Sequence, residues 1–295
     1  VRTACVIGNC QADGLADWLA ALSPGLAVEA FSVAGVAPDD PQARARWRAL
    51  LDRSDWVVMQ TGPEHRARFG LPEPDALRAE GRRVTLAPWI IFRGFHPDCV
   101  YLFHDGAPIP GAAGPLQSAI ALAARLEGLT RQRTLRLYNA YVYARMGYFD
   151  AHAAALDLMR EEWTALGLDP SPWLAPRAEP FMHTINHPIP AVLEDVARQL
   201  LSGAGLQPSA NPTPRPPDRL IGGGIWPVYP ELAERLGLEG ATAYRRPGLP
   251  DAPLEAAVAA AHDGLDAALA DGFVFDATVS PLIAKARAFI RDEVI

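Results

Sequence analysis

The stretch Ala4-Cys5-Val6-Ile7-Gly8-Asn9-Cys10-Gln11 decides the fold. Its apolar run lacks polar alternation, which suits a parallel strand covered on both faces. The glycine at the end of the run lets the backbone turn sharply. Immediately afterwards, Asp13 to Leu22 places Leu15, Leu19 and Leu22 on one face at helical spacing. A strand that turns straight into a helix is the opening of a βαβ unit.

Working outward, the same alternation recurs through the first hundred residues. Val28 to Val33 reads as a strand, and Pro41 to Leu51 as a helix with Asp39 or Asp40 available to cap it. Asp55 to Gln60, containing Trp56-Val57-Val58-Met59, and Arg83 to Leu86 complete the strands. The runs recur every 25 to 30 residues or so, about the length of one βαβ unit. The fold class is therefore α/β, a parallel, flavodoxin-like sheet flanked by helices. Periodicity supplies the class and not the strand order.

Beyond about residue 112 the chain turns mainly helical. Leu116 to Leu126 closes at Gly128 and Phe149 to Leu166 at Gly167, as helices do at a glycine. Pro190 to Leu201 begins with proline and aligns Val192, Leu193, Val196 and Leu200. Gln207 to Arg219 carries prolines at 208, 212, 214, 216 and 217 and reads as an extended connector. Leu254 to Leu269 and Leu282 to Glu293 are the last helices. Three regions are thus expected: a sheet core over 1–111, a helical part over 112–206, and the connector with the C-terminal helices over 207–295.

Of 295 residues, 27 are basic and 34 acidic, for a formal net charge of −7. A mildly acidic chain is poorly suited to nucleic acid or to an anionic membrane surface. No apolar run is long enough for a membrane span, which needs roughly 18 residues. The first residues show no basic segment followed by an apolar stretch and a cleavage site. The three cysteines, Cys5, Cys10 and Cys99, are too few for a disulfide framework. A cytoplasmic location is expected.

In parallel α/β sheets, ligands bind beyond the carboxyl ends of the strands, and Cys10 belongs to that edge. The free amides of the following helix are expected to lower its pKa and to hold an oxyanion, with Asn9 adding an amide donor. Structurally, Cys10 could equally be a small buried residue in a tight turn. Gln60 ends its strand at the same edge. Arg93 and His96, in Arg93-Gly94-Phe95-His96-Pro97-Asp98, follow the fourth strand and offer a cation and an imidazole.

His183 and His187 are four residues apart, the spacing of two zinc ligands on one helix face. Pro188 pushes His187 into an extended conformation, and no cysteine or acid completes a set, so no metal is expected. On a loop ahead of the helix starting near Pro190, His187 could instead act as a general base. The alternative for both histidines is to pad the helix start.

Gly8-Asn9-Cys10-Gln11, Phe92-Arg93-Gly94-Phe95-His96-Pro97-Asp98 and His183-Thr184-Ile185-Asn186-His187-Pro188 together resemble the WcbI-type proteins of capsular polysaccharide biosynthesis. The resemblance covers residues 4 to about 202. It implies an enzyme that binds coenzyme A or acetyl-coenzyme A and moves an acyl group to a sugar acceptor, and a distant relation to SGNH-type esterases and acetyltransferases. On that relation Cys10 stands at the nucleophile position and His187 at the base. Asn9, Gln11, Gln60 and His183 are expected to bind the oxyanion or substrate, and Arg93 and His96 the cofactor. The orienting acid of that pattern falls on Thr184, and an expected histidine before Ser118 is Gln117. Two rivals stay open: an esterase of acylated sugars, and a ligand-binding protein without catalysis.

Overall fold

A computed structural model describes residues 2–278 and 280–295. Its main sheet consists of β1 (Thr3–Gly8), β2 (Ala27–Ser32), β3 (Trp56–Gln60) and β4 (Arg83–Leu86), all parallel, in the order β2-β1-β3-β4. Helices α1 (Ala12–Leu22), α2 (Pro41–Asp52), α3 (Pro63–Phe69) and α4 (Pro74–Ala79) connect them. The class read from periodicity is the class observed. β1 and β3 are the central strands, and from Ala4 and Trp56 onward every residue in them is buried. β2 lies at an edge and is mostly partly exposed. That difference follows from position, since a central parallel strand is covered on both faces.

Helix α2 has its cap on Asp40, which accepts from Gln42 N–H at 2.8 Å, with Pro41 at the first helical position. Cys5, Ile7, Val57 and Met59 pack with Trp47, Leu50, Leu51 and Phe69 in the core on this side.

The chain divides into two compact units. The first holds residues 1–91, 159–175 and 186–220. It contains the sheet and α10 (Pro190–Gly203), which packs on α1. The proline-rich segment has neither helix nor strand and folds back along α1: Ser209 N–H donates to Leu22 O at 2.7 Å, and Arg219 pairs with Asp17.

The second unit holds residues 92–158, 176–185 and 221–295. β5 (Cys99–Tyr101) pairs antiparallel with β8 (Leu116–Ser118), and β6 (Phe103–His104) with β7 (Ala107–Pro108). The helix expected from Leu116 therefore begins later, as α5 (Ala119–Leu126). Leu116–Ser118 is drawn into a strand by its pairing with β5, and Ser118 Oγ caps the helix by accepting from Ala121 N–H at 3.0 Å. The remaining helices are α6 (Arg131–Leu135), α7 (Ala140–Met146), α11 (Pro230–Leu236), α12 (Leu254–Ala270) and α13 (Pro281–Glu293) in this unit, α9 (Ser171–Leu174) in the first, and α8 (Ala151–Ala165), whose residues fall in both. Of these, α12 and α13 both pack against α5. Among the described residues no helix is long and apolar enough to cross a membrane.

Candidate active site

The register of the sheet places Gly8 level with Ser32 on one side and Gln60 on the other, so three strand ends form one edge. The turn that follows is closed by Asn9. Its Oδ1 accepts from Gln11 N–H at 2.8 Å, and its carbonyl accepts from Ala12 N–H at 3.1 Å and Ser32 Oγ at 2.9 Å. This is the local turn that a short amide side chain forms with backbone two residues on. Asn9 Nδ2 is buried and has no hydrogen-bond partner among the described residues.

Gln11 is fully buried and fully used. Its Nε2 donates to Ile90 O at 2.7 Å and to Asn186 O at 2.8 Å, while its Oε1 accepts from Ile90 N–H and from Gln60 Nε2. Gln60 Nε2 spends its second hydrogen on Pro88 O at 2.8 Å. Both amides thus lock the strand ends to the loops at 88–90 and 186. Neither keeps an N–H for a ligand, whereas Asn9 Nδ2 stays without a partner among the described residues.

Cys10 is half-buried. Asn186 Nδ2 reaches its Sγ at 3.9 Å, a long contact to a weak acceptor. Asn186 was not singled out from the sequence; its signal was its place directly before His187. His187 lies in the loop ahead of α10, as expected, and is buried at 8% exposure. Cys10, Asn9, Gln11, Gln60, Asn186 and His187 all belong to the first unit.

The expectation of an acidified thiol is overturned. Burial pushes the Cys10 thiol up to about 11. The hydrogen bond of its own backbone amide lowers that pKa by less than burial raises it, and the amides of Gln11 and Ala12 donate to Asn9. At neutral pH Cys10 is a neutral thiol.

Arg93, His96 and His183 belong to the second unit. His96 is 3% exposed, with Nδ1 at 3.2 Å from Pro227 O and Nε2 at 3.3 Å from Met182 O. Burial lowers its pKa to about 4, so it is neutral and committed to the interior. Arg93 is exposed and donates to Cys99 O at 2.9 Å. His183 is partly exposed, and its carbonyl accepts from Trp226 N–H at 2.8 Å. Asp98, the last residue of that block, is buried. It accepts from Ile120 N–H, Tyr148 Oη and Tyr229 Oη, each at 3.0 Å.

One group of described residues has the ligand types of a metal site, His104, Asp105 and Asp271. Its two acids are exposed.

The family model described as polysaccharide biosynthesis enzyme WcbI matches residues 3–209. The solved structure of WcbI is similar at a TM-score of 0.66 and 16% identity, over 97% of this chain and 98% of that one. It is described as a native form without the disulfide bond between coenzyme A and a cysteine of that protein. No curated protein matches the sequence.

Proposed function

The chain belongs to the WcbI family of polysaccharide biosynthesis enzymes, and on that premise we propose that it is a coenzyme A-dependent acyltransferase, moving an acetyl group to a hydroxyl of a sugar or polysaccharide precursor. The observation that carries this reading is the buried, unpartnered Nδ2 of Asn9, the residue directly before Cys10 at the carboxyl edge of the sheet. An unsatisfied buried donor costs about 1–3 kcal/mol, a cost that an oxyanion formed in the reaction would remove. The solved WcbI is described by a disulfide between coenzyme A and a cysteine that this form of it lacks; that pairing supports bringing the thioester to Cys10, the only partly exposed one of Cys5, Cys10 and Cys99.

In this reading His187 takes the proton of Cys10, whose neutral thiol needs a base. Sγ attacks the thioester carbonyl, and Asn9 Nδ2 donates to the oxygen that gains charge. The carbon–sulfur bond to coenzyme A breaks, and the departing sulfur takes the proton from His187. His187 then removes the proton of the acceptor hydroxyl, which attacks the acyl group. Cys10 leaves and recovers that proton. Gln11 and Gln60 act as positioning residues.

Titration calorimetry of the protein with coenzyme A and acetyl-coenzyme A tests it, alongside Cys10→Ala, His187→Ala and Asn9→Asp. Asn9→Asp keeps the oxygen that closes the turn and removes the free donor. The expected result is about micromolar binding, with turnover lowered by roughly 10²- to 10³-fold in Asn9→Asp. No binding of either ligand overturns the transferase. Release of acetate at the same rate with and without a sugar acceptor turns the assignment to an esterase. The raised pKa of Cys10 favours a second reading, a ligand-binding protein whose thiol is structural. It predicts that Cys10→Ala changes neither binding nor turnover.

A further inference from the structure

The second unit contains a cavity of about 560 Å³, within the range of small-molecule sites. Its walls come from the segment after β4, from β5 and β6, and from the starts of α8 and α13. Three features of its lining point to one kind of occupant. First, Arg93 is its only charged wall residue: among the described residues no carboxylate lines the cavity, and none forms an ion pair with Arg93. In a chain of net charge −7, an acid-free cavity with one guanidinium favours an anion. The bond from Arg93 Nη1 to Cys99 O fixes that guanidinium and leaves its other N–H groups for a ligand.

Second, Phe103 lines the cavity and is 48% exposed although it stacks on Tyr101, with centroids 5.7 Å apart and planes at 23°. An aromatic held flat by a second ring presents an electron-rich face, which suits the weakly positive C–H face of a pyranose. Third, the remaining wall joins apolar Val100, Met146 and Leu282 to the hydroxyl-bearing Ser280. That mixture suits a ring with one apolar face and hydroxyls at its edge.

We infer that this cavity binds an anionic pyranose, a sugar bearing a carboxylate or a phosphate, with the anion on Arg93 and the ring on Phe103. That the sugar is the acyl acceptor rests on the transferase reading; that the cavity holds it does not. A charge-assisted, bidentate contact from Arg93 orients the ligand, and the aromatic face selects the ring. A phosphate and a carboxylate fit the guanidinium by the same chemistry.

Saturation-transfer NMR with the full chain, using D-glucuronate, glucose 6-phosphate and D-glucose as probes, with inorganic phosphate followed by phosphorus line broadening, separates the sources. Either sugar anion is expected to bind at least about tenfold more tightly than glucose or phosphate, the discrimination that one charged hydrogen-bonded contact supplies. Arg93→Gln should remove that preference. Phe103→Ala should weaken the sugar anions and leave inorganic phosphate unchanged, and because Phe103 is exposed the fold should survive. Binding only of glucuronate names a uronic acid, and only of glucose 6-phosphate a sugar phosphate; either supports the site. No binding up to about 10 mM, an affinity weaker than about 3 kcal/mol, overturns it, as does binding that neither substitution changes. Loss of sugar binding with coenzyme A titration intact removes this inference alone. The reverse removes only the transferase.

Discussion

Gln60 Nε2 donates to Gln11 Oε1 at 2.8 Å, joining two side chains that are 1% and 0% exposed. This bond ties the end of β3 to the start of α1, and through the other bonds of Gln11 to Ile90 and Asn186. The position of the Cys10 turn relative to the His187 loop depends on it, because Gln11 directly follows Cys10 and Asn186 directly precedes His187.

Gln11→Leu should therefore destabilise the protein by about 3 kcal/mol or more, since several buried groups lose their partner together. Gln60→Leu should cost less, because it breaks two bonds where Gln11→Leu breaks four. The double variant should fall short of the sum by about 1 kcal/mol, the coupling expected of groups in contact. Urea unfolding of the four proteins reads all three quantities.

Gly8→Ala and Gly14→Ala make a matched pair. A Cβ on Gly8 would lie 2.8 Å from Gln60 Oε1 and 3.0 Å from Gln60 Cβ, inside the network just described. At Gly14 the near atom, also at 2.8 Å, is Leu193 Cδ1, the end of a flexible side chain. Gly8→Ala is expected to cost about 1–3 kcal/mol through overpacking. Gly14→Ala should be close to neutral, since alanine also favours its helix by about 1 kcal/mol. Thermal melting distinguishes the two.

Cys10 should be alkylated slowly. With its pKa at about 11, about one thiol in a thousand is ionised at pH 8, against roughly one in four for a free cysteine. The higher intrinsic nucleophilicity of a more basic thiolate recovers part of that, leaving a rate roughly twentyfold lower. Iodoacetamide labelling followed by mass spectrometry reports Cys10 specifically, because Cys5 and Cys99 are fully buried. The rate should climb with pH up to about 11. A plateau near pH 8 would show an activated thiol instead.

Asp98 sets a pH dependence of stability. Burial raises its folded pKa to about 6, against an ordinary carboxyl value of 3.8. A raised acid binds its proton more tightly when folded, so its contribution is full below about pH 4 and is lost as pH rises through about 6. Two pKa units correspond to about 3 kcal/mol. The stability difference between the wild type and Asp98→Asn should therefore shift in favour of the variant by that order between pH 4 and 7. A difference independent of pH would contradict it.

Much of this architecture was legible in the amino-acid order. The apolar run ending at Gly8, the helical spacing of Leu15, Leu19 and Leu22, and the buried strand at Trp56–Met59 depend on local pattern, and they determined the α/β class and put Cys10 at the strand end. Pro188 likewise determined that His187 leaves a helix, because a residue before proline is driven to extended backbone. The three motif blocks carried the family. Only the tertiary structure decided the strand order, the pairing of Leu116–Ser118 with β5, and which amides are free. Hydrogen-bond occupancy depends on partners far apart in sequence: Gln11 is satisfied by Ile90, Asn186 and Gln60, while Asn9 Nδ2 has no partner among the described residues. The ionisation of Cys10 was out of reach for the same reason, since burial is a property of everything packed around a group and the sequence names only its neighbours.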